Sequence, residues 1–136
     1  MNEVSPIVRV RAIVPFHDCD PLQVVWHGRY LEYFELARTE LFQDRGVDIP
    51  RIRDLGFRMY VADARCRYMF PLTYGDEMEV TAKAVAWKPM LRIVYSIRNL
   101  TKSRRSARGF TALATTDSSG RLLPETPNAI MERIFI

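Results

Sequence analysis

Two periodicities divide this chain. Between His27 and Arg45 apolar residues recur every third or fourth position, and elsewhere they recur every second position. Tyr30, Phe34, Ala37 and Leu41 form one stripe at helical spacing, while Arg29, Glu32, Leu36, Glu40 and Gln43 fall on the far, mostly polar side. The pattern predicts one long helix from about His27 to Arg45, stopped at Gly46. Val24, Val25 and Trp26 supply no Ser, Thr, Asp or Asn to cap its first turn. Its leading N–H groups must therefore be met by other backbone or by a ligand.

The alternating segments read as strands. Val8, Val10, Ala12, Val14 and Phe16 alternate with Arg9 and Arg11, and Pro15 marks an exposed edge or a bulge. Carried two residues further, the same alternation puts Asp18 and Asp20 on one face, with His17 and Cys19 on the other. Ala62 to Phe70, Met78 to Ala86 and Leu91 to Ile97 alternate cleanly. Ala107 to Thr116 alternates weakly, as a strand buried on both sides does. Pro71–Asp76, Ser103–Arg105 and Asp117–Gly120 are turn signals, and Lys88-Pro89 breaks a strand run. Val47–Gly56 reads as a linker with a helical turn at Pro50, and Pro127–Ile134 as a short terminal helix. The order is strand, long helix, then four strands joined by tight turns. It predicts an α+β fold with one long helix on a five-stranded antiparallel sheet. One helix covers one face, so the remaining edges and apolar surface predict a homodimer or homotetramer.

Composition narrows the class. A chain of 136 residues, 48% hydrophobic and 26% charged, without repeats or low-complexity runs, predicts one domain over residues 1–136. No apolar run reaches the ~20 residues of a membrane span. MNEVSPIVRV lacks the charged and apolar regions of a signal peptide. Cys19 and Cys66 have no CxxC spacing, which fits a reduced, cytoplasmic setting. The net charge of +4 is too diffuse for a nucleic-acid partner. Its densest run, Lys102 to Arg108, reads either as a solvated turn or as a phosphate contact.

The candidate chemistry lies just ahead of the helix. Asp18-Cys19-Asp20-Pro21, Val24-Val25-Trp26-His27, Tyr30-Leu31 and Glu35-Leu36-Ala37-Arg38, followed by Pro71-Leu-Thr-Tyr-Gly75-Asp76, Arg108-Gly-Phe-Thr111 and Asp117-Ser-Ser-Gly120, resemble the 4-hydroxybenzoyl-CoA thioesterase and YbgC-like group of hotdog-fold thioesterases. The resemblance covers essentially the whole chain. It implies a hotdog fold, a dimer or tetramer with active sites between subunits, and hydrolysis of an acyl-CoA or acyl-carrier-protein thioester to a free acid and a thiol. It implies no metal and no bound cofactor. Many members carry Gly in the loop where this chain has Gln23. Glycine there eases close approach of backbone to substrate.

Thioester hydrolysis needs a group that attacks or activates water, and donors that hold the developing oxyanion. The resemblance assigns the first role to Asp20, as nucleophile or general base. It assigns the second to the backbone N–H of His27 at the helix start. Gln23, Val25, Trp26 and Tyr30 are then candidates for the substrate pocket, and Arg104, Arg105 and Arg108 for CoA phosphates. For a carrier protein, an exposed basic face would instead meet an acidic partner. Asp18 reads as a loop-ordering carboxylate. Glu35 and Arg38 form an i, i+3 pair at the apolar arc, with a structural role preferred. The residue types of His17, Asp18, Cys19, Asp20 and His27 suit zinc or iron, but their spacing matches no standard ligand motif. Two rival readings stay open: a dehydratase or hydratase of acyl thioesters using His27, and a non-catalytic acyl-thioester-binding protein.

Overall fold

A computed structural model describes residues 4–135. The leading residues of the MNEVSPIVRV segment lie outside that range. Five strands form one antiparallel sheet: β1 (Val8–Ile13), β2 (Phe57–Tyr68), β3 (Glu77–Ala86), β4 (Leu91–Asn99) and β5 (Arg104–Asp117). Their spatial order is β1-β3-β4-β5-β2. The long helix α1 (Tyr30–Asp44) lies across one face, with α2 (Ile49–Asp54) and α3 (Asn128–Ile134) at its flanks. Among the described residues no helix is long and apolar enough to cross a membrane.

The helix forms where its stripe predicts. Tyr30, Phe34, Ala37 and Leu41 are all buried, joined by Tyr33 and Phe42. They meet the inward rows of the sheet, Met78, Val80, Ala82 and Ala84 on β3 and Leu91, Ile93, Tyr95 and Ile97 on β4. Phe34 stacks flat on Tyr95 with ring centroids 4.6 Å apart. Gly109 sits opposite Tyr95 in the ladder, and a Cβ there would collide with the Arg65 carbonyl and come within 2.8 Å of the Phe34 ring. The missing side chain lets helix and sheet close together. Gly46 stops the helix in a left-handed conformation, φ +68°. Arg38 bonds the Tyr95 hydroxyl (3.4 Å), which is 2.6 Å from Thr111 Oγ1, and lies 3.7 Å from Glu35. The predicted Glu35–Arg38 pair therefore braces the helix on the sheet.

Three expectations change in the structure. First, β1 ends at Ile13, because Pro15 has no N–H to continue a ladder. A 3₁₀ turn, Phe16–Asp18, follows, so Asp18 and Asp20 do not share a strand face. Second, the helical run opens as a 3₁₀ turn, His27–Arg29, before α1 begins at Tyr30. Third, β2 and β3 are adjacent in sequence but do not pair. β2 lies at the far edge beside β5, and the Pro71–Asp76 segment crosses to the loop ahead of the helix. There the Leu72 carbonyl accepts from the Val25 N–H (2.8 Å), and the Gly75 N–H donates to the Val14 carbonyl (3.0 Å). A bulge between Val61 and Asp63 interrupts the predicted β2 alternation, and residues 60–65 are exposed on both faces.

Candidate active site

The loop ahead of the helix is ordered chiefly through Asp18. The Asp18 carboxylate is buried and accepts a 2.6 Å hydrogen bond from the Tyr33 hydroxyl. Arg29 Nε and His17 Nε2 lie 3.5 and 3.4 Å from its other oxygen. Its backbone carbonyl accepts from the Trp26 N–H (3.0 Å). Burial, and then the Asp18 carboxylate, hold the Tyr33 hydroxyl protonated far above the usual phenol range. Asp18 thus ties the 3₁₀ turn, the loop and the helix together, the ordering role its position predicts.

Asp20 stands differently. It is half-buried, and its Oδ1 accepts from the Leu22 N–H (2.8 Å) in an Asx turn. The Gln23 N–H returns to the Asp20 carbonyl (2.8 Å), and the Asp20 N–H donates to the Val24 carbonyl (2.9 Å). That tight loop places Gln23 at φ +66°, the left-handed region. The backbone conformation explains why glycine suits this position: Gln23 adopts the conformation that glycine takes without strain. Asp20 and Gln23 line a cleft of about 660 Å³ with Phe16, Cys19, Thr73 and Tyr74.

Val25, His27 and Tyr30 line a second pocket of about 310 Å³, closed by Tyr68, Met69, Phe70 and Pro71. The two cavities share no lining residue: the loop contributes Asp20, Pro21 and Gln23 to the first, and Val24 and Val25 to the second. Trp26 is half-exposed, tilted against the His27 ring at 5.1 Å and packed onto Gly28, where any Cβ would strike its indole. Trp26, the residue that caps the 3₁₀ turn, supplies no side-chain bond. Among the described residues the His27 and Gly28 N–H groups have no acceptor, as the uncapped sequence predicts. The His27 carbonyl accepts from the Tyr30 N–H and from the Tyr68 hydroxyl (3.0 Å). Tyr68 also meets the Tyr30 ring edge-on at 4.9 Å. Burial raises the Tyr68 hydroxyl to about 12, so it remains a donor at neutral pH.

The three candidate phosphate contacts do not converge. Arg104 lies over the Phe70 ring at 4.6 Å, beside the His27 pocket. Arg105 is exposed opposite Arg98 in the β4–β5 ladder. Arg108 is on the sheet face away from the helix, opposite Arg67. Among the described residues no three His, Cys, Asp or Glu side chains gather as metal ligands would.

Sequence reasoning takes Tyr68, Met69 and Phe70 as apolar bulk for the core or an acyl tunnel, and misses Tyr33, the Tyr68 hydrogen bond and the Asp76 network. Asp76 is buried in the crossing segment and accepts from the Thr73 N–H (2.9 Å) and hydroxyl (2.9 Å), Asn99 Nδ2 (2.8 Å) and Lys102 Nζ (3.0 Å). Burial alone would raise its carboxyl. The bonds from the Thr73 N–H, Lys102, Asn99 and the Thr73 hydroxyl outweigh that and hold it below the usual range. The signal was the Thr-x-x-Asp spacing inside the turn, legible as a self-bonded loop.

Comparisons with known proteins bear on the family and the fold. A thioesterase from Thermus thermophilus, solved with coenzyme A and Zn, is 34% identical, with a TM-score of 0.77 over 96% of this chain and 92% of its own. A 4-hydroxybenzoyl CoA thioesterase solved with 4-hydroxybenzoyl CoA shares the fold at 17% identity, with a TM-score of 0.82 over 94% of this chain and 98% of its own. An esterase-named protein of Aquifex aeolicus is 37% identical over 70 residues, 52% of this chain and 55% of that protein. The chain spans about half the length of the curated relatives it matches, or less: 55%, 36% and 46%. Residues 14–134 match the thioesterase-like superfamily. With a hotdog sheet wrapped on one helix and an uncapped helix start beside the Asp20 loop, this chain belongs to that superfamily.

Proposed function

We propose that the protein hydrolyses an acyl thioester, of CoA or of an acyl-carrier protein, releasing a free acid and a thiol. The observation that carries this reading is the uncapped helix start, where the His27 N–H lacks an acceptor among the described residues, at the edge of an apolar pocket. The acyl group enters among Val25, Tyr30, Tyr68 and Phe70. The His27 N–H, with its Gly28 neighbour, holds the thioester oxygen as it gains charge. One such preorganised donor lowers the barrier by about 3–4 kcal/mol. Asp20 either attacks the carbonyl carbon, expelling the thiolate and leaving an anhydride that water hydrolyses, or takes the proton of a water that adds to the carbon and displaces the thiol. The Asx turn leaves its second oxygen available for that role.

The working unit in this reading is a dimer joined along β2, in a reduced cytoplasmic setting. β2 is an edge strand, and Tyr60 and Val61 are exposed on it. A second β2 would satisfy its open N–H and C=O row. The partner would then bring its own loop toward the first subunit's cavities, which lie apart within one chain.

Thiol release from a panel of short, long and aromatic acyl-CoAs tests the activity. Wild type is expected to release thiol, and Asp20→Asn, still folded by thermal melt, to lose about 10²–10⁴ in kcat. Equal rates in the two proteins would remove Asp20 from the mechanism. Hydration of an enoyl thioester without thiol release would favour the dehydratase reading.

A further inference from the structure

The sheet face away from the helix divides into two electrostatic halves. On the β1–β3 half the arginines are paired: Arg9 with Glu79 (3.8 Å), and Arg11 with Glu77 (3.5 Å) and Glu79 (3.9 Å). On the β4–β5–β2 half they are not. Arg65 and Arg67 of β2, Arg108 of β5 and Arg92 of β4 are exposed, and among the described residues none forms an ion pair with a carboxylate. The ladder sets Arg67 directly opposite Arg108, and Arg65 opposite Phe110. Phe110 in turn faces Val94, which faces Lys83. Like charges facing across strands destabilise a sheet. Here they are retained side by side, around an aromatic ring over which Arg92 stacks at 3.9 Å.

We infer that this arginine face docks an acidic carrier protein that delivers the acyl thioester. The inference rests on the hydrolase reading and names the partner for it. The patch spans three strands, about 10 Å across the sheet, and forms a broad open surface that suits a macromolecule better than a small ligand. Glu77 and Glu79 on the other half of the face are already engaged by Arg9 and Arg11, whereas an acidic partner surface brings carboxylates to the unpaired arginines. Arginine and aromatic side chains together are the composition of strongly contributing interface residues. The surface and the pocket lie on opposite faces of the sheet and meet at the end of β2. Arg67 precedes Tyr68, so one face of β2 carries the docking charge while the other holds the tyrosine that bonds the His27 carbonyl.

The test compares wild type with Arg65→Glu/Arg92→Glu, both exposed positions, and with Arg92→Lys, after thermal melts confirm folding. The probe is an acidic bacterial acyl-carrier protein, titrated calorimetrically in its holo form at low and physiological salt. Hydrolysis of one acyl group is then followed on that carrier and on CoA. Wild type is expected to bind the carrier with an affinity that falls as salt rises. The double reversal should lower kcat/KM on the carrier by about tenfold or more and change it by less than about twofold on CoA, with Arg92→Lys near wild type. Equal losses on both substrates, carrier binding untouched by the reversal, no carrier binding, or a sheet-to-sheet tetramer that buries the arginines would each overturn the docking site. Charge-dependent carrier binding without hydrolysis of either substrate would support docking and overturn the hydrolase reading.

Discussion

At the scale of single residues, two positions carry more than their side-chain chemistry suggests. Gln23 holds φ +66° in the loop that sets Asp20. A residue with a Cβ in that region costs about 1–2 kcal/mol relative to the right-handed alternative. Glycine removes the strain but adds unfolded-state freedom worth about 0.4–1 kcal/mol. Gln23→Gly is therefore expected to stabilise the protein by about 0.5–1 kcal/mol in a urea melt, and a loss of stability would refute the strain. Tyr68 acts through the backbone. Its hydroxyl fixes the His27 carbonyl, and with it the peptide that carries the Gly28 N–H. Removing one such bond costs about 1 kcal/mol of positioning. Tyr68→Phe should accordingly lower kcat about fivefold with KM nearly unchanged. A matching rise in KM would assign Tyr68 to substrate binding instead.

At the scale of elements, the crossing segment from β2 to β3 does more than connect. Asp76 gathers Thr73, Asn99 and Lys102, while the neighbouring Leu72 carbonyl holds Val25. The folded-state pKa of Asp76 lies below its ordinary value of 3.8. Its stabilisation is therefore fully present above that ordinary pKa and is lost as pH falls through the lower folded value. Asp76→Asn should flatten the acid limb of stability below about pH 4. It should also destabilise the neutral protein by about 2–4 kcal/mol, because Lys102 loses its carboxylate. A mutant with the wild-type acid limb would show that Asp76 does not carry it. The same segment marks where sequence reading ran out. The helix stripe from Tyr30 to Leu41 and the alternation of β3 and β4 were legible, since each rests on one local period. The 3₁₀ turn after Pro15 and the bulge at Val61–Asp63 were not, because either one shifts a period by a residue. The Asp76–Asn99–Lys102 contact joins two turns that only the sheet order brings together. Asp20 and His27 are proposed through resemblance, whereas the Tyr68 hydrogen bond needed the β2–helix contact that the strand order creates.

At the scale of the whole molecule, the sheet order places its least buried strand at an edge. Residues 60–65 of β2 are exposed on both faces, and that edge carries no charged or proline block at Tyr60 and Val61. The bulge at Val61–Asp63 and the charges at Asp63, Arg65 and Arg67 guard the rest of the strand, so Tyr60 and Val61 are where a second strand would join. β2 also carries Tyr68 at one end, so pairing two β2 strands would bring two helix starts toward one seam. The proposed dimer would thus join folding to catalysis: the contact that satisfies the edge would also complete the cavities. Wild type is expected to sediment at twice the chain mass. Tyr60→Lys/Val61→Lys should shift it toward monomer by placing like charges across the seam. If the partner completes the site, thiol release should fall by about 10²-fold in the monomer. A fully active monomer would separate assembly from catalysis and return the whole site to a single chain. A lysine variant that stays dimeric would move the interface off β2.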